Sequence, residues 1–260
     1  MQEFILKDSK YRIRYHDFPG EGFPIIFIHG LGCAGSFDYP QVAAQEELSG
    51  YRRILVDLLG SGFSDKPDDF GYKVSDHAEY LLDFISYLDL DQFILYGHSL
   101  GGAVALTLAD RCRDRVGKII LSEANLDSGG GSTSKAIAAY EIKDFINEGF
   151  QNIILENQRK SNEMWAASFS ISSPKAVYLI SKSAVEGQTP SWREILYSLN
   201  CPKTFIFGEN SLPDPQMQVL TDHGLHIEVV KNAGHSMAWK NPKGLAIAIK
   251  NGIVNEVIRG

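Results

Sequence analysis

Ser99 lies in the pentapeptide Gly97-His98-Ser99-Leu100-Gly101, a Gly-x-Ser-x-Gly pattern. The apolar residues 93–96 before it predict a short buried strand, and residues 103–110 after it predict a helix. A strand, a tight turn and a helix are the surroundings that a nucleophile elbow requires. Such a turn strains the serine backbone, and the flanking glycines relieve the crowding. Ser99 is therefore the candidate nucleophile, at a helix N-terminus that favours a developing negative charge.

The base that would activate this serine is predicted among seven histidines. A serine hydroxyl is a poor nucleophile unless a base takes its proton, and the pKa of histidine suits that role near neutral pH. His235 directly follows a predicted strand over residues 226–230, at the edge of a parallel sheet where catalytic loops converge. His98 neighbours Ser99, but we expect it to face away around the elbow and to serve in packing and hydrogen bonding. His235 is the candidate base.

The elements that must position these residues follow an α/β pattern. Residues 11–18 alternate polar and apolar side chains, which predicts an edge strand. Continuous apolar runs predict strands that are buried on both faces, at residues 24–29, 53–57, 93–96, 118–122, 204–208 and 226–230. A helix is predicted over about residues 75–88, and Asn241-Pro242 opens a terminal helix. Strands that alternate with helices predict a mostly parallel sheet with helices on both faces.

A helical insertion interrupts this pattern. Between residues 124 and 198 no buried strand is predicted, and helical segments follow one another at 135–147, at 152–169, after Ser173-Pro174 and after the capping box at 191–194. We therefore predict a helical cap at residues 124–198, inserted into a core made of residues 1–123 and 199–260. Most of its aromatic side chains are expected to hold the cap together, with one or two facing a substrate pocket: Phe145, Phe150, Trp165, Phe169 and Tyr178.

The chain resembles the α/β-hydrolase fold family over essentially its whole length. The motifs that agree, in order, are His29-Gly30, Asp57-x-x-Gly60-x-Gly62-x-Ser64, the elbow and Gly234-His235. The resemblance implies an eight-stranded sheet with the cap inserted after the sixth strand. It also implies an oxyanion hole made by the backbone N–H groups of Leu31 and Leu100. The first motif is similar to that of small capped serine hydrolases, including the strigolactone-receptor group, and we expect His29 to anchor its loop.

The acid is where the sequence departs from the family. The resemblance implies Gly-x-x-Asp after the predicted strand at 204–208, but this segment reads Gly208-Glu-Asn-Ser211. Glu209 and Asp214 lie near that position, and Glu209 is expected to point away. A third candidate, Glu123, ends the apolar strand beside the elbow strand, where an unpartnered carboxylate would be costly to bury. Some haloalkane dehalogenases of the same fold carry their acid in a similar setting. We choose Glu123 over Asp214.

These residues predict a serine hydrolase that cleaves a small to medium carboxylic ester. Ser99 would attack the carbonyl carbon, His235 would transfer the proton, and Glu123 would orient the imidazole. Because fold does not settle the substrate, a lactonase, a thioesterase and a carbon–carbon bond hydrolase remain alternatives. A ligand receptor that keeps the triad and signals through its cap is the alternative from outside the enzymes. The resemblance implies an aspartate nucleophile for dehalogenase or epoxide-hydrolase chemistry, so the serine argues against both.

The amino-acid composition disfavours several classes of binding partner. The formal net charge is -7 and no Lys/Arg cluster stands out, which disfavours nucleic acid and anionic membranes as partners. No apolar stretch approaches the roughly 20 residues of a membrane span, and the N-terminus lacks signal-peptide features. Cys33, Cys112 and Cys201 lack metal-ligand spacing and predict free thiols in the cytoplasm. Without a metal-ligand cluster or dinucleotide fingerprint, we expect no cofactor, and the partner is a small-molecule substrate.

Overall fold

A computed structural model describes residues 1–7, 9–160 and 162–255. Its strands are β1 (Gln2–Ile5), β2 (Arg12–Phe18), β3 (Gly22–Ile28), β4 (Tyr51–Val56), β5 (Phe93–His98), β6 (Val116–Ser122), β7 (Lys203–Gly208) and β8 (His226–Val230). They form one eight-stranded sheet in the order β1-β2-β4-β3-β5-β6-β7-β8. The pairings of β2 with β1 and with β4 are antiparallel, and the other pairings are parallel. The predicted α/β class and the mostly parallel sheet are confirmed.

Helices cover the sheet and fill the segment between β6 and β7. They are α1 (Gly35–Asp38), α2 (Pro40–Ala43), α3 (Val74–Tyr87), α4 (Leu100–Arg111), α5 (Ser132–Ala138), α6 (Ile142–Asp144), α7 (Phe150–Arg159), α8 (Glu163–Ser170), α9 (Pro174–Glu186), α10 (Trp192–Ser198), α11 (Gln216–Asp222), α12 (Met237–Lys240) and α13 (Pro242–Val254). Short 3₁₀ turns lie at Glu46–Leu48, Arg113–Arg115 and Glu209–Ser211, and a π-helical turn lies at Phe145–Gly149. No helix of the described residues is both long and apolar enough to cross a membrane.

The sheet is buried on both faces, as its continuous apolar runs require. Successive side chains of a strand point to opposite faces, so the elbow strand β5 contributes to two separate cores. Leu95 packs with residues of α3, α4 and α10 on one face. Ile94 and Tyr96 pack with residues of α2 and α13 on the other. The two layers hold the carboxyl ends of the strands in fixed positions.

The helical insertion (residues 124–198) has a small core of its own. Phe145, Phe150, Phe169 and Tyr178 are buried together there with apolar side chains of α5, α7 and α9. Its last helix, α10, returns to the main core, where the Trp192 indole donates a hydrogen bond to Thr107 of α4 at 3.0 Å. The capping box at the start of α10 forms as its sequence predicts.

The structure differs from the sequence-based prediction in short elements. Strand β1 was not predicted, because only Phe4 of its four residues is buried and the pattern is too weak to detect. The predicted helix over 152–169 is two helices, α7 and α8. Between them Asn162 leaves the helical conformation and donates a side-chain hydrogen bond to Asn157 at 3.1 Å. Polar side chains of this kind compete with the helix backbone for hydrogen bonds.

Candidate active site

Ser99 lies at the turn between β5 and α4 in a strained backbone conformation. Its φ is 52° and its ψ is -123°, a combination that side-chain-bearing residues rarely adopt. The glycine at position 101 is required by close packing, because a Cβ there would lie 2.3 Å from the carbonyl oxygen of His29. A Cβ at Gly97 would lie 2.8 Å from the Cα of Gly102. The two glycines of the motif therefore allow the elbow to pack against β3 and its own helix.

The loop after β3 lies directly beside the elbow. A Cβ built on Gly30 would be 3.2 Å from the Cβ of Ser99. Within the described part of the chain, no acceptor contacts the backbone N–H of Leu31. The N–H of Leu100 is the first of α4 and has no intrahelical acceptor. Both residues line the same cavity as Ser99. Two backbone donors are thus available next to the serine.

His29 anchors this loop, as we expected. Its Nδ1 donates to the Gly30 carbonyl at 2.9 Å, and its Nε2 accepts the N–H of Leu58 at 3.0 Å. The ring is buried, and burial lowers the pKa of His29, which keeps the imidazole neutral. The contact joins the loop after β3 to the loop after β4. Asp57 in the second loop accepts the backbone N–H groups of Ser36 and Phe63 at 2.8 and 2.9 Å.

His235 and Glu123 meet at the carboxyl edge of the sheet. Nδ1 of His235 donates to a carboxylate oxygen of Glu123 at 2.7 Å. The imidazole is about half exposed, whereas the Glu123 side chain retains only 12% of its accessible surface. Because Nδ1 is held by the carboxylate, Nε2 is the nitrogen that is free to accept a proton. Both residues line the cavity that Ser99 borders.

The electrostatic environment keeps Glu123 ionised. Burial raises the pKa of this carboxyl, but hydrogen bonds from His235, the Gly208 N–H and Ser211 outweigh it and lower the pKa to about 2. The Gly208 contact measures 2.9 Å. The backbone of Glu123 itself has a positive φ of 39°, and its N–H donates to the Ile206 carbonyl at 3.1 Å. Strand β7 therefore holds the backbone of Glu123 and one of its carboxylate oxygens, and His235 contacts the other oxygen.

Ser211 occupies the position where the family resemblance implied an aspartate. It interacts with Glu123 instead of with the histidine directly. Its Oγ would lie 3.6 Å from a Cβ built on Gly234, the residue before His235. In the sequence alone, this serine indicates only that the usual acid is missing. In the structure, Ser211 and the Gly208 N–H at the end of β7 both donate hydrogen bonds to Glu123, the residue that follows β6.

The two other acid candidates have different partners. Asp214 accepts the backbone N–H of Gln216, the first residue of α11, at 2.8 Å. Glu209 accepts the backbone N–H of Asn232 at 2.8 Å. Asn232 has a positive φ of 55° and belongs to the loop that carries His235. Glu209 thus does not bond the histidine ring, but it fastens the loop that presents it.

His98 differs from our expectation. It does bond within the sheet, because its Nδ1 contacts Ser122 Oγ at 2.9 Å, but it does not face away from the site. Its ring centroid lies 4.6 Å from that of His235, and it lines the cavity. Burial and the neighbouring His235 lower the pKa of His98 to about 3, so its imidazole stays neutral. The elbow pattern places His98 beside Ser99 in the sequence, but it does not show that the loop carrying His235 packs against the His98 ring.

The cavity in front of Ser99 has a volume of about 720 Å³ and is lined by the sheet edge and the helical insertion. Trp165 is the insertion aromatic that faces it, and its indole donates to the Leu31 carbonyl at 3.0 Å. Phe169, in contrast, packs against Gly32 and belongs to the insertion core. Among the described lining residues, Arg193 is the only lysine or arginine, and Asp127 pairs with it at 2.7 Å. The described residues contain no group of three or more histidine, cysteine or acidic side chains placed to bind a metal.

Known proteins share this architecture and part of the sequence. A family model described as alpha/beta hydrolase fold matches residues 24–152. The 2-hydroxymuconate semialdehyde hydrolase of Pseudomonas putida is 38% identical over 112 residues, 43% of this chain and 39% of that relative. Haloalkane dehalogenase 2 of Mycobacterium tuberculosis is 35% identical over 115 residues, 44% of this chain and 38% of that relative. These matches span about two fifths of the curated relatives' length.

Solved structures match over nearly the full chain. A thermophilic esterase from Thermogutta terrifontis superposes with a TM-score of 0.80 at 20% identity, covering 97% of each chain. An esterase from Exiguobacterium antarcticum gives a TM-score of 0.81 at 19% identity, covering 98% of this chain and 100% of the other. An N-acyl homoserine lactonase gives a TM-score of 0.75 at 18% identity, with coverage of 98% and 100%. At these identities the likeness establishes the fold.

Proposed function

The chain belongs to the α/β-hydrolase fold family, and from that premise we propose that it is a serine hydrolase that cleaves carboxylic esters through an acyl-enzyme. The observation that carries the proposal is the 2.7 Å hydrogen bond between His235 Nδ1 and the Glu123 carboxylate. It lies in the cavity that the strained Ser99 turn borders. A nucleophile, a base and a buried acid on one cavity are the components of acyl transfer.

The proposed reaction proceeds in two halves. Ser99 Oγ attacks the ester carbonyl carbon while Nε2 of His235 takes its proton. The N–H groups of Leu31 and Leu100 donate to the oxyanion, and Glu123 stabilises the imidazolium. The alcohol leaves with the proton from His235, and the acyl group remains on the serine. Water then attacks this ester with its proton going to His235, which passes that proton to Ser99 Oγ as the carboxylic acid is released.

The serine disfavours halide displacement, although one relative is named a haloalkane dehalogenase. An alkyl group transferred to a carboxylate nucleophile forms an ester, which water can hydrolyse. The same group transferred to Ser99 would form an ether, which water does not cleave under these conditions, so turnover would stop. A carbon–carbon bond hydrolase remains the second candidate, because the 38% identical relative is named as a semialdehyde hydrolase. That match covers 43% of this chain.

Ester turnover and active-site labelling test the proposal together. We expect p-nitrophenyl esters with acyl chains of about two to eight carbons to be hydrolysed over many turnovers. Ser99→Ala should lose at least about 10³-fold in kcat, because binding and the oxyanion donors alone leave only residual catalysis.

A fluorophosphonate probe should label the wild-type protein and fail to label Ser99→Ala. Ser86→Ala is the matched control, because Ser86 lies exposed on α3 and its hydroxyl donates to the Leu82 carbonyl of the same helix. Labelling that persists in Ser99→Ala, or sustained ester hydrolysis by that variant, would exclude Ser99 as the nucleophile. A single slow turnover in the wild type would favour a receptor.

A further inference from the structure

Asn125 is the second residue of the helical insertion, and its backbone is fixed to the elbow. Its N–H donates to the Ser99 carbonyl at 3.0 Å. Two residues earlier, the Glu123 N–H donates to the Ile206 carbonyl at 3.1 Å, so the elbow and β7 together hold this short segment. Asn125 also lines the cavity that Ser99 borders. A ligand whose ester group reaches Ser99 is therefore next to this residue.

The side-chain amide of Asn125, in contrast to its backbone, is unoccupied. Asn125 is partly exposed, and within the described residues its amide makes no hydrogen bond, while the amide oxygen and nitrogen are both open to solvent. A Cβ built on Gly131 would lie 3.9 Å from the amide nitrogen. Because position 131 is a glycine, no side chain covers the amide from that direction. The proposed reaction gives this amide no role.

The charged groups on either side of Asn125 already have partners. The Glu123 carboxylate accepts from His235 at 2.7 Å. The Asp127 carboxylate pairs with Arg193 at 2.7 Å, and Arg193 is the only lysine or arginine among the described residues of the cavity wall. A ligand carboxylate would therefore lie beside acidic side chains without a free cation. The other side chains that line the cavity next to this segment carry neutral hydroxyl groups: Ser128, Ser132 and Thr133.

We propose that Asn125 binds a vicinal diol that the substrate carries beside the ester group, on its alcohol part or on its acyl part. This inference rests on the proposed ester hydrolysis and narrows its substrate class to hydroxylated esters. The carboxamide oxygen accepts hydrogen bonds and the NH₂ donates them. The two atoms lie side by side in one plane, so two neighbouring hydroxyls can bond the same amide together. One hydroxyl donates to Oδ1, and the other accepts from Nδ2.

An apolar group at the same place would bind less well. It would remove water from the Asn125 amide without replacing the lost hydrogen bonds, which is unfavourable. A diol replaces both of them. Because the hydrogen bond to Ser99 already fixes the backbone of Asn125, only the two torsions of its short side chain become ordered on binding. The amide therefore distinguishes a diol from an alkyl group of the same shape.

Isosteric esters test the subsite through a ratio of kcat/KM values. On the alcohol part, 2,3-dihydroxypropyl butanoate is compared with 2-methylbutyl butanoate, in which methyl groups replace both hydroxyls. On the acyl part, methyl 2,3-dihydroxypropanoate is compared with methyl 2-methylbutanoate. On one of the two parts, we expect kcat/KM to favour the diol over its isostere by at least about tenfold. A ratio near one or below on both parts, or preference for the charged esters 2-carboxyethyl butanoate or butanoylcholine, overturns the subsite.

The same ratio in variants assigns the effect to Asn125. Asn125→Leu keeps the size of the side chain but removes both hydrogen-bonding atoms, and it should lower the diol-to-methyl ratio by about tenfold. Gly131→Val should lower the ratio too, because its side chain would cover the amide, and valine adopts the φ of -78° there without strain. Asn152→Leu, on the exposed side of α7, is the matched control and should leave the ratio unchanged. A ratio that Asn125→Leu and Gly131→Val retain, with thermal unfolding showing that they are folded, overturns the subsite.

A binding measurement separates this inference from the proposed chemistry. Ser99→Ala is titrated calorimetrically with the same diol and methyl-branched esters, which needs no turnover. If a diol ester binds at least about tenfold more tightly than its isostere while the wild type hydrolyses neither, the subsite stands and the proposed function fails. If the wild type hydrolyses diol and isostere with equal efficiency and Ser99→Ala binds them equally, the proposed function stands and the subsite fails.

Discussion

Replacing Glu123 by glutamine changes one atom of the carboxyl group and leaves the packing at this strand end nearly intact. The amide oxygen can still accept a hydrogen bond from the Gly208 N–H. In the wild type, the Gly208 nitrogen lies 2.9 Å from the Glu123 carboxylate oxygen. The amide NH₂ then faces Nδ1 of His235, where a carboxylate oxygen stands at 2.7 Å. Because NH₂ donates, Nδ1 must accept, and the single imidazole proton moves to Nε2. In that tautomer, Nε2 cannot take the proton of Ser99.

The expected loss in kcat follows from removing the negative charge that faces the His235 imidazolium. Two unit charges about 4 Å apart attract by about 4 kcal/mol at an effective dielectric constant of about 20. Since about 1.4 kcal/mol corresponds to a tenfold change in rate, this predicts a loss of about 10³ in kcat for Glu123→Gln. Solvent near the half-exposed imidazole weakens the attraction, and the wrong tautomer adds to the loss. The expected range is therefore about 10²–10⁴.

Steady-state kinetics with an ester that the wild type turns over measure this loss. Urea unfolding of each variant verifies that the fold is retained. Asp214→Asn is the matched control, because asparagine keeps a side-chain oxygen that can accept the Gln216 N–H. In the wild type, the Gln216 nitrogen lies 2.8 Å from Asp214 Oδ1. Asp214→Asn should change kcat by less than about threefold. A near-normal Glu123→Gln beside a crippled Asp214→Asn would show that the acid lies after β7 and that the reasoning is wrong.

Other predictions address the cavity wall, the histidine loop and acid stability. Trp165→Ala should change the acyl chain-length preference, whereas Phe169→Ala should lower the free energy of unfolding by about 3–5 kcal/mol, because Phe169 is fully buried; equal ester preference in Trp165→Ala would remove Trp165 from the pocket. Glu209→Ala should lower kcat by about tenfold by releasing the Asn232 N–H, and Glu209→Gln, which keeps an acceptor, should recover most of it; equal losses would refute the anchoring role. Since the pKa of Glu123 is lowered to about 2 in the fold and is about 4.3 unfolded, its stabilising contribution is complete above that unfolded value. The free energy of unfolding should therefore fall as pH drops from about 4.5 to about 2, and less steeply in Glu123→Gln. Urea titrations at several pH values would measure this.

The features that the sequence predicts well depend on short segments. The elbow needs small residues at positions 97 and 101 for steric reasons, so its pattern appears directly in the chain. His235 follows β8 by five residues, and its place at the sheet edge follows from parallel strand topology alone. Glu123 was chosen because it ends an apolar strand. The structure places it against His235, because the parallel strands β6, β7 and β8 lie side by side and the two residues follow the carboxyl ends of β6 and β8.

The features that escaped prediction depend on long-range contacts. Nothing local in the sequence shows that Ser211 reaches Glu123, or that the loop carrying His235 lies over His98. Asp38, which lies after β3, and Trp239, which lies after β8, are about 200 residues apart in the chain, and both line one cavity because β3 and β8 end at the same sheet edge. A useful sign existed for Asp38, because an acidic residue beside buried apolar side chains needs a partner or a neutral state.

The most direct test of the account is to trap the acyl-enzyme. The protein is mixed with an ester whose acyl group leaves slowly, quenched in acid during steady-state turnover, digested, and analysed by mass spectrometry. The account predicts one acyl mass increment, on the peptide that contains Ser99, and none in Ser99→Ala. An acyl group on a different residue, or undiminished turnover by Ser99→Ala, would contradict it.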